Sequence, residues 1–202
     1  MRTTRLEAFS DGVLAIIITI MVLEIRAPEH ATYAALGQSA SSLLTYLLSF
    51  VYIGIYWTNH HHMFQVVERV SGAVLWANLH LLFWLSLMPA STAWMEKSDF
   101  ASPPLVVYGV NLLFAAIAYF ILQLAITGAE GPDSRLKRAL GRDVKGKLSP
   151  VLYVAGIAIA IIAPYVGLAV YSVVAVMWLV PDRRMERLVT QDHSDGRRRS
   201  EQ

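Results

Sequence analysis

Six apolar runs take up most of this 202-residue chain, at about 6–26, 39–64, 72–95, 104–127, 147–163 and 165–181. About 20 residues of α-helix cross a hydrocarbon slab roughly 30 Å thick, so the runs predict an all-α membrane protein with six transmembrane helices per subunit. The last two belong to one stretch, Leu148 to Val180, too long for a single span and interrupted at Ala163-Pro164. Proline ends or kinks a helix, so a tight hairpin is expected there. Pro103-Pro104 suits the start of the fourth helix, where a missing N–H costs nothing. With 55% apolar residues, 16% charged residues and a mean hydropathy of +0.48, the composition is that of an integral membrane protein. The absence of cysteine excludes disulfides, thiolate metal sites and a cysteine nucleophile.

Lysine and arginine are retained on the cytoplasmic side of membrane spans. With the N-terminus inside, all seventeen of these residues except Arg26 and Lys97 fall in the cytoplasm, so both termini are expected there. Residues 1–181 then form the transmembrane domain and 182–202 a basic hydrophilic cytoplasmic tail. The basic segments 135–147 and 183–199 read as topology signals that also attract anionic lipid, and no nucleic-acid partner is expected. A signal peptide is disfavoured by Glu7 and Asp11 ahead of the apolar core and by the poor cleavage site Arg26-Ala27-Pro28-Glu29-His30.

The first run is unusual because carboxylates bound it closely. Only Gly12 to Leu23 is uncharged between Asp11 and Glu24, about 18 Å of helix. A span from Leu6 to Arg26 reaches about 31 Å but admits Glu7, Asp11 and Glu24 into or near the membrane. Ionisable groups in a span face protein or water-filled space, so this helix belongs in the middle of an assembly. Ile16, Thr19, Ile20 and Leu23 recur at helical spacing on one stripe. Brought to a common axis by several subunits, they make stacked apolar rings able to gate ions by excluding water. Ordinary helix packing is the competing reading, since nearly every face of Val13–Leu23 is apolar.

Arg5-x-x-x-Phe9-Ser10-Asp11-Gly12-Val13, with Ala15-Ile16 and the closing Val22-Leu23-Glu24-Ile25, resembles the first-helix signature of the transmembrane protein 175 family. Tyr56-Trp57-x-x-His60-His61-x-x-Phe64 is similar to the family's second-helix motif, and Asn78-Leu79-x-Leu81-Leu82-Phe83 with Leu87-Met88-Pro89 to its third. The resemblance covers roughly the first half of the chain. It implies a homotetrameric, potassium-permeable channel in a prokaryotic cell membrane, each six-helix unit supplying a quarter of the assembly and the first helix lining a central pore. It also implies that Ile16, Ile20 and Leu23 form the constriction and that Thr19 is a hydroxyl-bearing pore position. No TVGYG-like carbonyl filter occurs in the sequence.

Asp11 is expected to be buried at the cytoplasmic end in one connected polar network with Arg5, Phe9, Ser10, Trp57, His60 and Asn78, because an unpaired buried charge costs several kcal/mol. Glu24 has two readings: a carboxylate ring that concentrates cations at the outer mouth, or a partner of Arg26 or of another helix. His60, His61 and His62 do not predict a metal site, because neighbours about 100° apart on a helix cannot converge on one ion. Trp76, Trp84, Trp94 and Trp178 suit membrane-interface anchors, and Gly54, Gly72, Gly109, Gly156 and Gly167 suit close helix approach. No cofactor is expected beyond the permeant ion, and no nucleophile motif marks an enzyme. The alternative function is a proton-coupled secondary transporter that uses Asp11 and the histidines as a relay.

Overall fold

The computed structural model describes residues 3–25, 27–28, 30–65, 67, 70–131, 136 and 144–179. Arg2, Arg26, Arg69, Arg135, Lys137, Arg138, Arg142 and the tail 182–202, on which the expected topology leans, lie outside the described residues. The main elements are α1 (Thr3–Leu23), α2 (Tyr33–Gln38), α3 (Ala40–Gln65), α4 (Gly72–Ser86), α5 (Met88–Lys97), α6 (Ser102–Glu130), α7 (Val144–Ile162) and α8 (Pro164–Leu179). Among the described residues, five helical stretches are long and apolar enough to cross a membrane, and α8 is a shorter apolar helix of 16 residues.

The first helix starts and stops three residues earlier than its apolar run implies, so it spans about 31 Å with Asp11 well inside and Glu24 just past its end. The third expected helix is two. Pro89 has no N–H to close on Leu85, the amide of Leu87 turns back to Trp84 at 3.2 Å, and α5 resumes at Met88. The short α2 was not anticipated from hydropathy. Thr32 caps it by accepting from the amide of Ala35 at 3.2 Å.

α6 forms the centre of the bundle, packed against α4, α5 and α7, while α7 and α8 make the expected hairpin. Ala163 accepts from the amide of Gly167 at 3.1 Å as α8 begins. The hairpin closes on small residues: a Cβ on Gly167 would lie 2.6 Å from that of Ala160, and one on Gly156 would meet the Tyr171 ring at 2.5 Å. Gly109 likewise makes room for Tyr171, whereas Gly54 and Gly72 have open space around them. Hydroxyls bind the interior together. Ser49 bonds both Thr92 (2.8 Å) and Tyr108 (3.1 Å), joining α3, α5 and α6, and Tyr52 donates to the carbonyl of Tyr171 on α8. Satisfying polar groups within the bundle is what a hydrocarbon environment demands.

α1 stands at one side of this core, against α3, α4 and α5. Its packed stripe is Leu6, Ser10, Leu14, Ile17 and Met21. Every one of these is at most 3% exposed, so the helix has one firmly committed face.

Candidate pore helix and its polar supports

The four residues singled out on α1 share the opposite side. Ile16 is 58% exposed, Ile20 45% and Leu23 81%, and Thr19 is exposed with them. At 100° per residue their stripe is centred roughly 130° around the axis from the packed one. Thr19 donates its hydroxyl hydrogen to the carbonyl of Ile16 at 2.8 Å. A hydroxyl has one hydrogen, so what Thr19 offers outward is an oxygen acceptor set between two isoleucines.

The expected polar network divides into two parts. One is a buried relay across three helices. Ser10 Oγ donates to the carbonyl of Leu6 (2.9 Å), Asn78 Nδ2 donates to Ser10 Oγ (3.0 Å), and Asn78 Oδ1 pairs with His60 Nε2 (2.8 Å). Because the carboxamide oxygen can only accept, His60 carries its hydrogen on Nε2. All three side chains are buried, and the His60 ring packs 4.5 Å from that of Phe64. Ser10 is small enough to let α1 settle close to α4, and its oxygen both gives and receives.

The second part is open to the surface of the single chain. Trp57 Nε1 donates to Asp11 Oδ1 at 3.0 Å. One turn along each helix, His61 Nδ1 lies 3.9 Å from Glu7 Oε1, and the His61 ring stacks on that of Trp57 at 6.3 Å. Gln65 donates to His61 Nε2 at 2.9 Å, which leaves Nδ1 as the protonated nitrogen of the neutral ring, turned toward Glu7. Two carboxylates on α1 are thus met by an indole and an imidazole on α3. The expectation of a buried Asp11 is corrected for the single chain, in which its side chain is exposed, and Arg5 and Phe9 are exposed on the same helix. Among the described residues, Arg5 makes no ion pair with Asp11. The physical reason is rotation: Arg5 and Phe9 fall on the stripe of Ile16 and Leu23, and Asp11 on the flank facing α3.

At the other end of α1, Lys97 Nζ at the close of α5 approaches Glu24 Oε2 to 2.7 Å. In the single chain Glu24 thus meets a residue of another helix. Beside it, Ser42 of α3 donates to Glu96 at 2.6 Å, so the last turn of α5 fastens both α1 and α3. That Lys97 would be the partner, and the Ser42–Glu96 link, were not anticipated from sequence. A crevice of about 710 Å³ opens between α1, α3 and the end of α8, walled by Asp11, Leu14, Ile18, Phe50, Trp57 and Trp178. The adjacent histidines diverge, His60 to Asn78 and His61 to Glu7 and Gln65.

Residues 5–89, the segment holding α1 through the start of α5, match the family described as endosomal/lysosomal potassium channel TMEM175. The chain is 53% identical over 183 residues to a potassium channel of Chryseobacterium sp. (strain P1-3), covering 91% of this chain and 95% of that one. It is 31% identical over 118 residues to the endosomal/lysosomal proton channel TMEM175 of Danio rerio, covering 56% of this chain and 22% of the fish protein. Its fold superposes with a TM-score of 0.73 on the crystal structure of a lysosomal potassium-selective channel TMEM175 homolog from Chamaesiphon minutus, at 31% identity over 88% of this chain and 96% of that one. Through a shared fold and a shared sequence along nearly its whole length, the chain belongs to the TMEM175 family.

Proposed function

We propose that the chain forms a potassium-permeable cation channel in the cell membrane, a homotetramer in which four copies of α1 surround the conducting axis. The observation that carries this reading is the division of α1 into two faces. Leu6, Ser10, Leu14, Ile17 and Met21 fix it to its own subunit, and Ile16, Thr19, Ile20 and Leu23 remain uncovered on the other side. The relatives named as potassium channels support the choice of ion.

In the tetramer the isoleucines and leucine form successive apolar rings, with the Thr19 oxygens between them. Partial dehydration at these rings disfavours sodium, the more strongly hydrated ion, so selectivity arises without a carbonyl cage. Widening of the rings is the gate. Replacing Ile16 by asparagine is expected to raise unitary conductance and reduce potassium preference over sodium. An unchanged reversal potential and conductance defeat the constriction, and a monomer that conducts defeats the assembly.

A second reading concerns the ion rather than the path. Similar vertebrate proteins are named proton channels, which favours proton passage through the same rings. Reversal potentials under a pH gradient at constant potassium separate the two. Saturating flux without unitary steps would instead favour the proton-coupled transporter.

A further inference from the structure

Inside the subunit, between α3, α6, α7 and α8, lies a cavity of about 50 Å³ that the pore reading does not use. α3 and α6 each turn one stripe to it, at i, i+3, i+4 and i+7 counted from Tyr52 and from Ala116. Ser149 and Tyr153 of α7 and Trp178 of α8 close the wall. The indole N–H of Trp178 donates to Ser149 Oγ at 2.8 Å, and Ser149 donates on to the carbonyl of Lys145 at 2.8 Å, so this side is settled within the chain. The Tyr56 and Tyr119 rings meet edge to face at 6.0 Å. Two groups in the wall are not settled. Tyr56 and Gln123 are only 9% and 6% exposed, and neither side chain makes a hydrogen bond among the described residues. Polar groups shut away from water normally find a partner, so a hydroxyl and a carboxamide left open in an aromatic wall call for a guest that brings one. Their burial comes from their own subunit and does not depend on what other copies cover.

We propose that this cavity binds a short-chain neutral alcohol, its hydroxyl between Tyr56 and Gln123 and its alkyl body against the rings. Size, charge and polarity each limit the guest. A water molecule needs about 10–15 Å³ of such space, so the cavity takes about four atoms of that size, as many as the heavy atoms of propanol. Among the described residues the wall holds no charged side chain, and an ion taken in without a counter-charge would be costly. A hydroxyl gives one hydrogen and accepts others, so it can donate to the Gln123 oxygen while accepting from Tyr56. Ile55, Asn59 and Trp178 also belong to the wall of the crevice beside α1, which supplies the way in. Trp57 and His61, which tie α3 to α1, stand on the far side of α3 from the cavity. A guest that spreads α3 from α6 shifts those ties and with them the opening of the pore; only this effect on current rests on the pore reading.

Bromoethanol matches propanol in heavy atoms and quenches indole emission on contact. The experiment titrates purified protein with it, the emission of Trp178 being the difference between wild type and Trp178→Phe. Quenching is expected to saturate, and to be reversed by propanol and butanol but not by hexanol. Partition into detergent or lipid predicts the opposite order, because it strengthens about fourfold with each methylene. Ala116→Leu fills the cavity and should abolish the saturable component. Gln123→Met should weaken it about fivefold, the worth of one hydrogen bond, without lowering the unfolding temperature, since the amide it removes is unpaired. In bilayers propanol should change the open probability of wild type and not of Ala116→Leu. Linear quenching that is the same in both variants as in wild type, competition that grows through hexanol, or a destabilised Gln123→Met overturns the site. Saturable quenching with an unmoved current overturns its hold on the pore, and absence of wild-type current defeats the pore reading while the binding result stands.

Discussion

Trp57 holds Asp11 from the neighbouring helix, its indole N–H 3.0 Å from the carboxylate. The contact lies one turn away from the pairing of His61 with Glu7, so α1 and α3 are joined by two rungs at the same end. At the opposite end Lys97 holds Glu24. Between these fastenings α1 relies on its buried stripe and on Ser10. A helix tied at both ends and free on one face suits a pore-lining element, because its lining can shift without the helix leaving its subunit.

Trp57→Phe keeps an aromatic ring, though a smaller one, and removes the donor. Hydrogen bonds to charged groups are worth about 1.5–3 kcal/mol, less where both partners meet solvent, so a loss near 1 kcal/mol is expected. Thermal unfolding of purified protein measures it. Asp11→Asn, which retains an acceptor oxygen, should cost less than Asp11→Ala. Equal losses in those two variants would show that a neutral acceptor oxygen does not replace the charged carboxylate for Trp57.

Asn78→Leu should be the more damaging change. It leaves Ser10 Oγ without its donor and His60 Nε2 without its acceptor, both in a buried site. The orphaned His60 donor costs about 1–3 kcal/mol and the bond lost at Ser10, which still donates to Leu6, about 1 kcal/mol, so the variant should lose roughly 2–4 kcal/mol, whereas Ser10→Ala leaves only the Asn78 amide unmet. Unfolding midpoints of the two variants check the order, and Ser10→Ala at or below the midpoint of Asn78→Leu would contradict the relay.

The helices were legible in the sequence because a bilayer crossing demands length and apolarity together, and the α7–α8 hairpin because Pro164 interrupts a run too long for one span. The break at Leu87 was missed although Pro89 was in view, since a kinked helix keeps its hydropathy. The small-residue closure of the hairpin was also readable, as Gly156 and Ala160 stand four apart on α7. Periodicity alone grouped Ile16, Thr19, Ile20 and Leu23, but which way they turn depends on α3, α4 and α5. Lys97 with Glu24, and Ser49 with Thr92 and Tyr108, join residues 73, 43 and 59 positions apart, and no local pattern announces such pairs.

The glycines separate cleanly into two classes. Gly167→Val must push a side chain into Ala160 and the carbonyl of Gly156, 2.9 Å away, and overpacking of this kind costs about 1–3 kcal/mol. Gly54→Ala meets nothing within 4 Å inside α3 and should gain up to about 1 kcal/mol from helix propensity. Thermal unfolding should move in opposite directions for the two. A destabilised Gly54→Ala would mean that another subunit approaches α3 at this point.

Exposure in one subunit does not distinguish a face turned to lipid from one turned to water: Val22 is 44% exposed and Ile20 45%. Chemistry does distinguish them. A thiol reacts with charged reagents as the thiolate, which forms in water and not in hydrocarbon. Single cysteines placed in this cysteine-free chain at Leu14, Ile17, Thr19, Val22 and Leu23 therefore read the orientation of α1 in the conducting assembly. Thr19→Cys and Leu23→Cys should be modified and lose current in up to four steps, one for each subunit of the proposed tetramer. Leu14→Cys and Ile17→Cys, on the packed stripe, should be protected. Val22→Cys decides the matter, since it neighbours Leu23 but lies about 100° around the helix. Slow modification there places the Leu23 stripe on the axis, whereas faster modification of Val22→Cys than of Leu23→Cys would rotate the helix and remove Ile16, Ile20 and Leu23 from the pore.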